Sequence, residues 1–198
     1  MIYGIFKDDK IKALKGLKSF CPLCNGELTP KCGDVNIWHW AHKHKSFDCD
    51  IKPETEWHRE WKSYFTSENC EVVIKKNGVK KIADFVFNNI VFEFQHSPIS
   101  PKEIKLRESF YGNMIWIFDA IEPYSYGRLL IRPKENYVTF RWKHAKRTLG
   151  FCSKRIFLDI GYNELIEIKK IYTEAPVGGW GKVFKKHDII EKLGGKSC

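Results

Sequence analysis

The 198-residue chain has no run of the roughly 18 apolar residues that a membrane helix needs, so a helical membrane span is not expected. It also lacks an internal repeat and a low-complexity tract, which argues against a solenoid and a disordered tail. The first residues, MIYGIFKDDKIKALKG, carry charges where a signal peptide would have its apolar core, so an intracellular, cytoplasmic location is expected. Acidic residues are the scarcer charge, 24 Asp and Glu against 34 Lys and Arg, for a net +10. That excess attracts polyanions through counterion release, and nucleic acid is the natural partner; a merely solvated, soluble surface has the same composition. Cysteine is present in an odd number, seven, which does not suit a closed disulfide framework.

The placement of the cysteines says more than their number. Cys21-Pro-Leu-Cys24 sets two thiolates on one tight turn, His39-Trp-Ala-His42 follows, and Cys49 lies beyond. Residues 21–52 are short of aliphatic side chains, so a metal staple is expected in place of an oil-drop core. Zinc takes four ligands tetrahedrally, and five compete here: Cys21, Cys24, His39, His42 and Cys49.

From Pro53 the texture changes. Glu54–Ser67 reads as a helix with Trp57, Trp61, Tyr64 and Phe65 on an apolar stripe. Strands are expected at Glu71–Lys75, Lys81–Phe87 and Ile90–Gln95, a capped helix from Ser100-Pro101 to about Tyr111, and a central strand at Met114–Asp119. The order helix, three strands, helix, strand is an α/β core. Beyond Pro123 only strands at Arg128–Arg132, Tyr137–Trp142 and Arg155–Ile160 and a helix at Asp188–Leu193 are read. Three regions follow: a zinc-binding module at 1–52, the core at 53–123 and a mixed β/α extension at 124–198 packed on it.

If Asn88-Asn89 are the two residues of a hairpin turn, paired positions sum to 177 and Asp84 faces Glu93, with side-chain roots about 5 Å apart. Opposed carboxylates repel unless a cation sits between them, and Mg²⁺ suits such a pair. Glu93 and Gln95 share one face while Phe92 and Phe94 take the other, so the strand is expected to bury one side and offer a polar ridge on the other. On the preceding helix Glu54, His58 and Lys62 recur at spacing four and could add a carboxylate, an imidazole and an ammonium; a solvated helix face has the same pattern. Arg107 and Tyr111 share a helix face, as contacts to a phosphate backbone or as a salt bridge and a packed ring. Ser97 is expected to support the site, and His96 to be structural.

Asp84 followed by Glu93-x-Gln95 resembles the PD-(D/E)XK nuclease core, with Gln95 where lysine is usual. More closely, CPLC at 21–24, HWAH at 39–42, ETEWHREWK at 54–62, KIADFV at 81–86, EFQHSPIS at 93–100, and Arg107, Tyr111 and IWIFD at 115–119 resemble the competence protein CoiA-like family of predicted nucleases. The resemblance implies phosphodiester hydrolysis on DNA, single-stranded, duplex or branched, helped by Mg²⁺ or Mn²⁺ held between Asp84 and Glu93. Glu54 matches the acidic position of the first helix, and His58 and Lys62 its following polar positions. Because Gln95 has no charge, Lys81 or Lys62 is expected to supply the missing cation. A nucleic-acid-binding protein that no longer cuts, and a nuclease acting on RNA, are the alternatives. Other DNA-processing proteins are possible partners.

Overall fold

The computed structural model describes residues 1–44, 49, 54–143, 147–172 and 177–196. Pro53 and the module boundary at 52–53 lie outside the described residues. The fold is mixed α/β with sheet predominating, and it forms two compact units, Met1–Phe87 and Asn88–Cys198.

The first unit opens with five short strands, β1 (Tyr3–Phe6), β2 (Asp9–Lys12), β3 (Ser19–Phe20), β4 (Glu27–Lys31) and β5 (His39–His42). They form one sheet in the order β2-β1-β3-β4-β5. Residues 21–52, expected to be too poor in aliphatic side chains for an oil-drop core, contribute to a small cluster that Met1 and Ala13 complete. Met1, Ala13, Cys21, Leu28 and Trp40 are buried together, and the Trp40 indole N–H donates to the Ile11 carbonyl at 3.1 Å. A single large ring does the work that aliphatic residues do elsewhere, with its one polar atom satisfied.

Helix α1 (Glu56–Ser63) is shorter than the 54–67 read from the sequence. Glu54 stays outside it, because Arg59 donates to the Glu54 carbonyl and Lys62 takes its carboxylate. Of the expected apolar stripe Trp57, Trp61 and Phe65 are buried and Tyr64 is half-buried, and Phe65 stacks on Phe85 at 3.9 Å between ring centres. Strands β6 (Cys70–Lys76) and β7 (Val79–Phe87) make an antiparallel hairpin. Its turn is Asn77-Gly78, with φ of 49° and 77°, the left-handed pair that a type I′ turn demands.

The second unit begins with Asn88-Asn89, whose φ values of 48° and 61° again suit a two-residue turn. It contains β8 (Ile90–Gln95), α2 (Pro101–Tyr111), β9 (Met114–Asp119), α3 (Ile121–Ser125), β10 (Leu129–Pro133), β11 (Val138–Trp142), β12 (Arg155–Gly161), β13 (Glu164–Tyr172), β14 (Val177–Lys185) and α4 (Lys186–Lys192). Within this unit the strands run β10-β11-β14-β13-β12-β9-β8, parallel for β8, β9 and β12 and antiparallel for the rest. Along the chain α1, β6, β7, β8, α2 and β9 follow the expected order of helix, three strands, helix and strand. Ser100 caps α2 by accepting from the Glu103 amide at 3.1 Å, as its motif predicts. On the same helix Glu108 accepts from the Trp116 indole and from the Ser153 amide, both at 3.0 Å, tying α2 to β9 and to the approach to β12.

Strands β13 and β14 were not read from the sequence. β14 begins VGGWG, a composition of loops, yet its glycines are needed for contact. A Cβ on Gly179 would lie 2.0 Å from the Lys170 carbonyl oxygen and 2.8 Å from the Phe140 ring, beside the register shift between Ile168 and Lys170. Gly179→Ala is therefore expected to cost about 1–3 kcal/mol by overpacking, read as a lowered urea midpoint with the secondary-structure signal retained. An unchanged midpoint would show that β14 yields there.

Candidate metal centre and buried charge cluster

Cys21, Cys24, His42 and Cys49 bring one ligand atom each to within 4.8 Å of all the others. Cys21 Sγ lies 3.8 Å from Cys49 Sγ, and Cys24 Sγ lies 3.3 Å from His42 Nε2. Four ligands at Zn–S of about 2.3 Å and Zn–N of about 2.0 Å would give tetrahedral edges of about 3.5–3.8 Å, so the spacing fits a metal such as zinc. Burial pushes the Cys21 thiol up to about 12, so a thiolate there requires a cation, while burial holds His42 below the usual imidazole range, in the neutral form that ligates.

Of the five sequence candidates His39 is the one left out; its Nδ1 pairs with the Ile37 carbonyl oxygen at 2.9 Å. The HWAH segment is strand β5, and on a strand positions i and i+3 point to opposite faces. The Cys32 and His44 side chains are likewise outside the group.

A second cluster lies in the same unit. Lys62 is 1% exposed, and its ammonium contacts Asp84 at 2.8 Å, Glu71 at 3.3 Å and the Glu54 carboxylate. Burial alone would lower its pKa, but Asp84, Glu54 and Glu71 together raise it well above the usual lysine range. Burial likewise works against the Glu54 carboxylate, and Lys62 with the Met1 ammonium at 3.2 Å overcomes it and holds the group well below the usual range. Lys62 is thus on no solvated face.

Glu71 was missed from the sequence. It is fully buried, sits at φ 50°, and accepts from the Ile2 and Tyr3 amides at 2.7 and 2.9 Å. Burial raises its pKa, with Lys62 opposing. A signal existed: the Asn77-Gly78 turn makes paired positions sum to 155, with Cys70 opposite Phe85 and Val72 opposite Ala83, which sets Glu71 opposite Asp84. Of the remaining residues expected in this region, His58 Nδ1 pairs with Thr55 Oγ at 2.8 Å, and Lys81 is half-buried opposite Ile74.

In the second unit Glu93 is 1% exposed and ion-paired with Arg107, which also holds Glu103 at 2.8 Å. The expected polar ridge on β8 is corrected: Val91 to Phe94 are buried on both faces, because β8 is covered where α2 sets Arg107 on Glu93. Gln95 donates to the Ser97 carbonyl at 2.6 Å, Ser97 is exposed, and Tyr111 is a buried ring against Phe110. His96 Nδ1 pairs with Asp119 Oδ2 at 2.6 Å.

Two outcomes are expected. Cys24→Ser or His42→Ala should drop bound zinc from about one per chain to near none, whereas His39→Ala should keep it, by metal analysis after purification without added metal. Lys62→Ala should lower the unfolding free energy by about 3–5 kcal/mol in denaturant titrations, since it strands buried carboxylates; a loss under about 1 kcal/mol would show that the cluster does not depend on its cation.

Residues 5–52 match the family model described as Competence protein CoiA, N-terminal domain. A stretch of 50 residues, 25% of the chain, is 48% identical to the Competence protein CoiA of Bacillus subtilis (strain 168) and spans 13% of that relative's length. No solved structure matches the chain. The similarity thus covers the segment that holds all four clustered metal ligands.

Proposed function

We propose that the chain is a metal-dependent nuclease that hydrolyses phosphodiester bonds of DNA on a core of PD-(D/E)XK type. The observation that carries this reading is Lys62, an ammonium sealed from solvent and 2.8 Å from Asp84. Gln95 brings no charge to the site, and a buried cation fixed beside Asp84 supplies it where low polarity makes it count. The reading takes over from the sequence the expectation that a two-residue turn at Asn88-Asn89, both at positive φ, sets Asp84 against Glu93.

Asp84 and Glu93 offer the hard oxygen donors that Mg²⁺ or Mn²⁺ takes, and Asp84 keeps 17% side-chain exposure for access. Bound there, the ion would stabilise charge on the phosphate and make water acidic enough to attack. In hydrolysis the water oxygen bonds to phosphorus as the bond to the leaving sugar oxygen breaks; water gives up a proton and the leaving oxygen gains one. Lys62, held by Glu54 and Glu71, orients Asp84 and offsets negative charge, and Gln95 orients water or a phosphate oxygen. Zinc in the Cys₃His group would act structurally, and the N-terminal module would help bind the substrate. A cytoplasmic setting among other DNA-processing proteins belongs to the same reading.

One observation favours a second reading. Asp84 and Glu93 already hold organic cations, Lys62 and Arg107, as purely structural pairs would. A nucleic-acid-binding protein that does not cut is the corresponding alternative.

Asp84→Ala and Glu93→Ala are each expected to abolish Mg²⁺-dependent cleavage of labelled DNA, with the double variant no worse than either, because both remove one shared ion. Gln95→Ala should reduce the rate without abolishing it. Wild-type cleavage by Asp84→Ala would remove the site, and binding without cleavage by the wild type would establish the second reading.

A further inference from the structure

Between Glu71 and Asp84 the sequence VVIKKNGVKKIA holds four lysines and no acidic residue. In the fold this stretch is the outer part of the β6–β7 hairpin. Its base is sealed by Cys70, Ala83 and Phe85, each 0% exposed, and Ile82 packs on the buried cluster of the N-terminal sheet. Residues 75–80 are exposed on both strands. The ladder continues to the tip, with Lys75 opposite Lys80 and Lys76 opposite Val79, closed by the left-handed Asn77-Gly78 pair. The tip is therefore an ordered two-stranded ribbon.

Lysines directly opposite one another destabilise a ladder, and no packing requirement at an exposed tip calls for them. Side-chain alternation puts Lys75 and Lys80 on one face and Lys76 and Lys81 on the other. A flat anionic surface would meet only one such face. A ribbon that is cationic on both faces matches a groove with a phosphate backbone on each side, and the major groove of duplex DNA, about 12 Å wide, admits a two-stranded ribbon. Lys80 also shares its face of β7 with Asp84, four residues or about 13 Å along the strand.

We propose that the β6–β7 hairpin tip is the element that grips duplex DNA, entering the major groove with Lys75 and Lys80 toward one backbone and Lys76 and Lys81 toward the other. This deepens the nuclease reading by assigning the substrate form and its grip, and it rests on DNA being the substrate. Phosphate contacts of this kind set register on the duplex and carry no sequence preference.

The test is fluorescence anisotropy of a labelled duplex with the zinc-loaded full chain, without chelator and without added Mg²⁺ or Mn²⁺, across 50 to 200 mM salt, for wild type and for Lys75→Gln/Lys76→Gln/Lys80→Gln. Each lost phosphate contact should flatten the slope of log affinity against log salt by about 0.9, so the triple variant should lose about 2–3 of slope and bind at least tenfold more weakly at low salt. Its melting temperature should be equal or higher, since Lys75 no longer faces a like charge. A Lys102→Gln/Lys105→Gln/Lys192→Gln variant should keep the wild-type slope. An unchanged slope in the hairpin variant, or an equal loss in the control, overturns the grip while DNA binding stands. A larger effect on single strands than on duplex overturns the groove geometry. Wild type without salt-dependent DNA binding overturns grip and nuclease reading together, whereas a hairpin-dependent slope without Mg²⁺-dependent cleavage keeps the grip and rejects the nuclease.

Discussion

An ammonium group withdrawn entirely from water imposes strict conditions on its surroundings, and Lys62 is such a group. Desolvating it is offset only where carboxylates approach closely and their own remaining lone pairs are satisfied. Glu54 comes from the segment before α1, Glu71 from β6 and Asp84 from β7, so one cation joins three pieces of chain. Glu71 extends the constraint to the first strand by accepting the Ile2 and Tyr3 amides. Its left-handed backbone conformation, uncommon for a residue with a side chain, is tolerated because these contacts over-determine its position.

The N-terminal sheet gains from this arrangement and from the metal ligands in different ways. It has a small core around Trp40 and Leu28, and the Cys₃His group brings the CPLC turn, β5 and Cys49 close enough to hold one metal ion. A metal supplies directional bonds where aliphatic surface is limited. The β6–β7 hairpin then starts from a well-packed base and ends in a purely cationic tip. Structural charge and surface charge are thus separated along the same two strands, with buried Glu71 and half-buried Asp84 facing Lys62 at one end and lysines exposed at the other.

Both carboxylates that the nuclease reading assigns to Mg²⁺ have resident partners, Lys62 on Asp84 and Arg107 on Glu93. These pairs relieve the charge that a metal would otherwise have to neutralise for the chain to fold. They also set the competition that a divalent ion meets on binding, since it must share or displace a charge-assisted hydrogen bond.

Local signals carried far in this sequence. The alternation and turns of Ile90–Gln95, Pro101–Tyr111 and Met114–Asp119 coincide with β8, α2 and β9, because turn residues, a capping serine and a fully apolar strand act within a few residues. The CPLC turn, the HWAH segment and Cys49 likewise pointed to a group that could hold a metal. Choosing among the five ligands required β5, since only a strand turns His39 away from His42. Glycine-rich β14 was illegible because its glycines answer to the Lys170 carbonyl and the Phe140 ring, which only the pairing of β14 with β13 and β11 brings against it. Glu71 was within reach of the same pairing arithmetic that set Asp84 opposite Glu93. Lys62 was not, because a helix ladder of Glu54, His58 and Lys62 has one pattern whether it faces water or carboxylates. The sequence by itself determined the elements from Ile90 to Asp119, the hairpin turns and the metal-binding composition, all of which depend on neighbours in the chain. Tertiary structure decided which charges are buried, because desolvation depends on everything that packs around a group and not on its place in the chain.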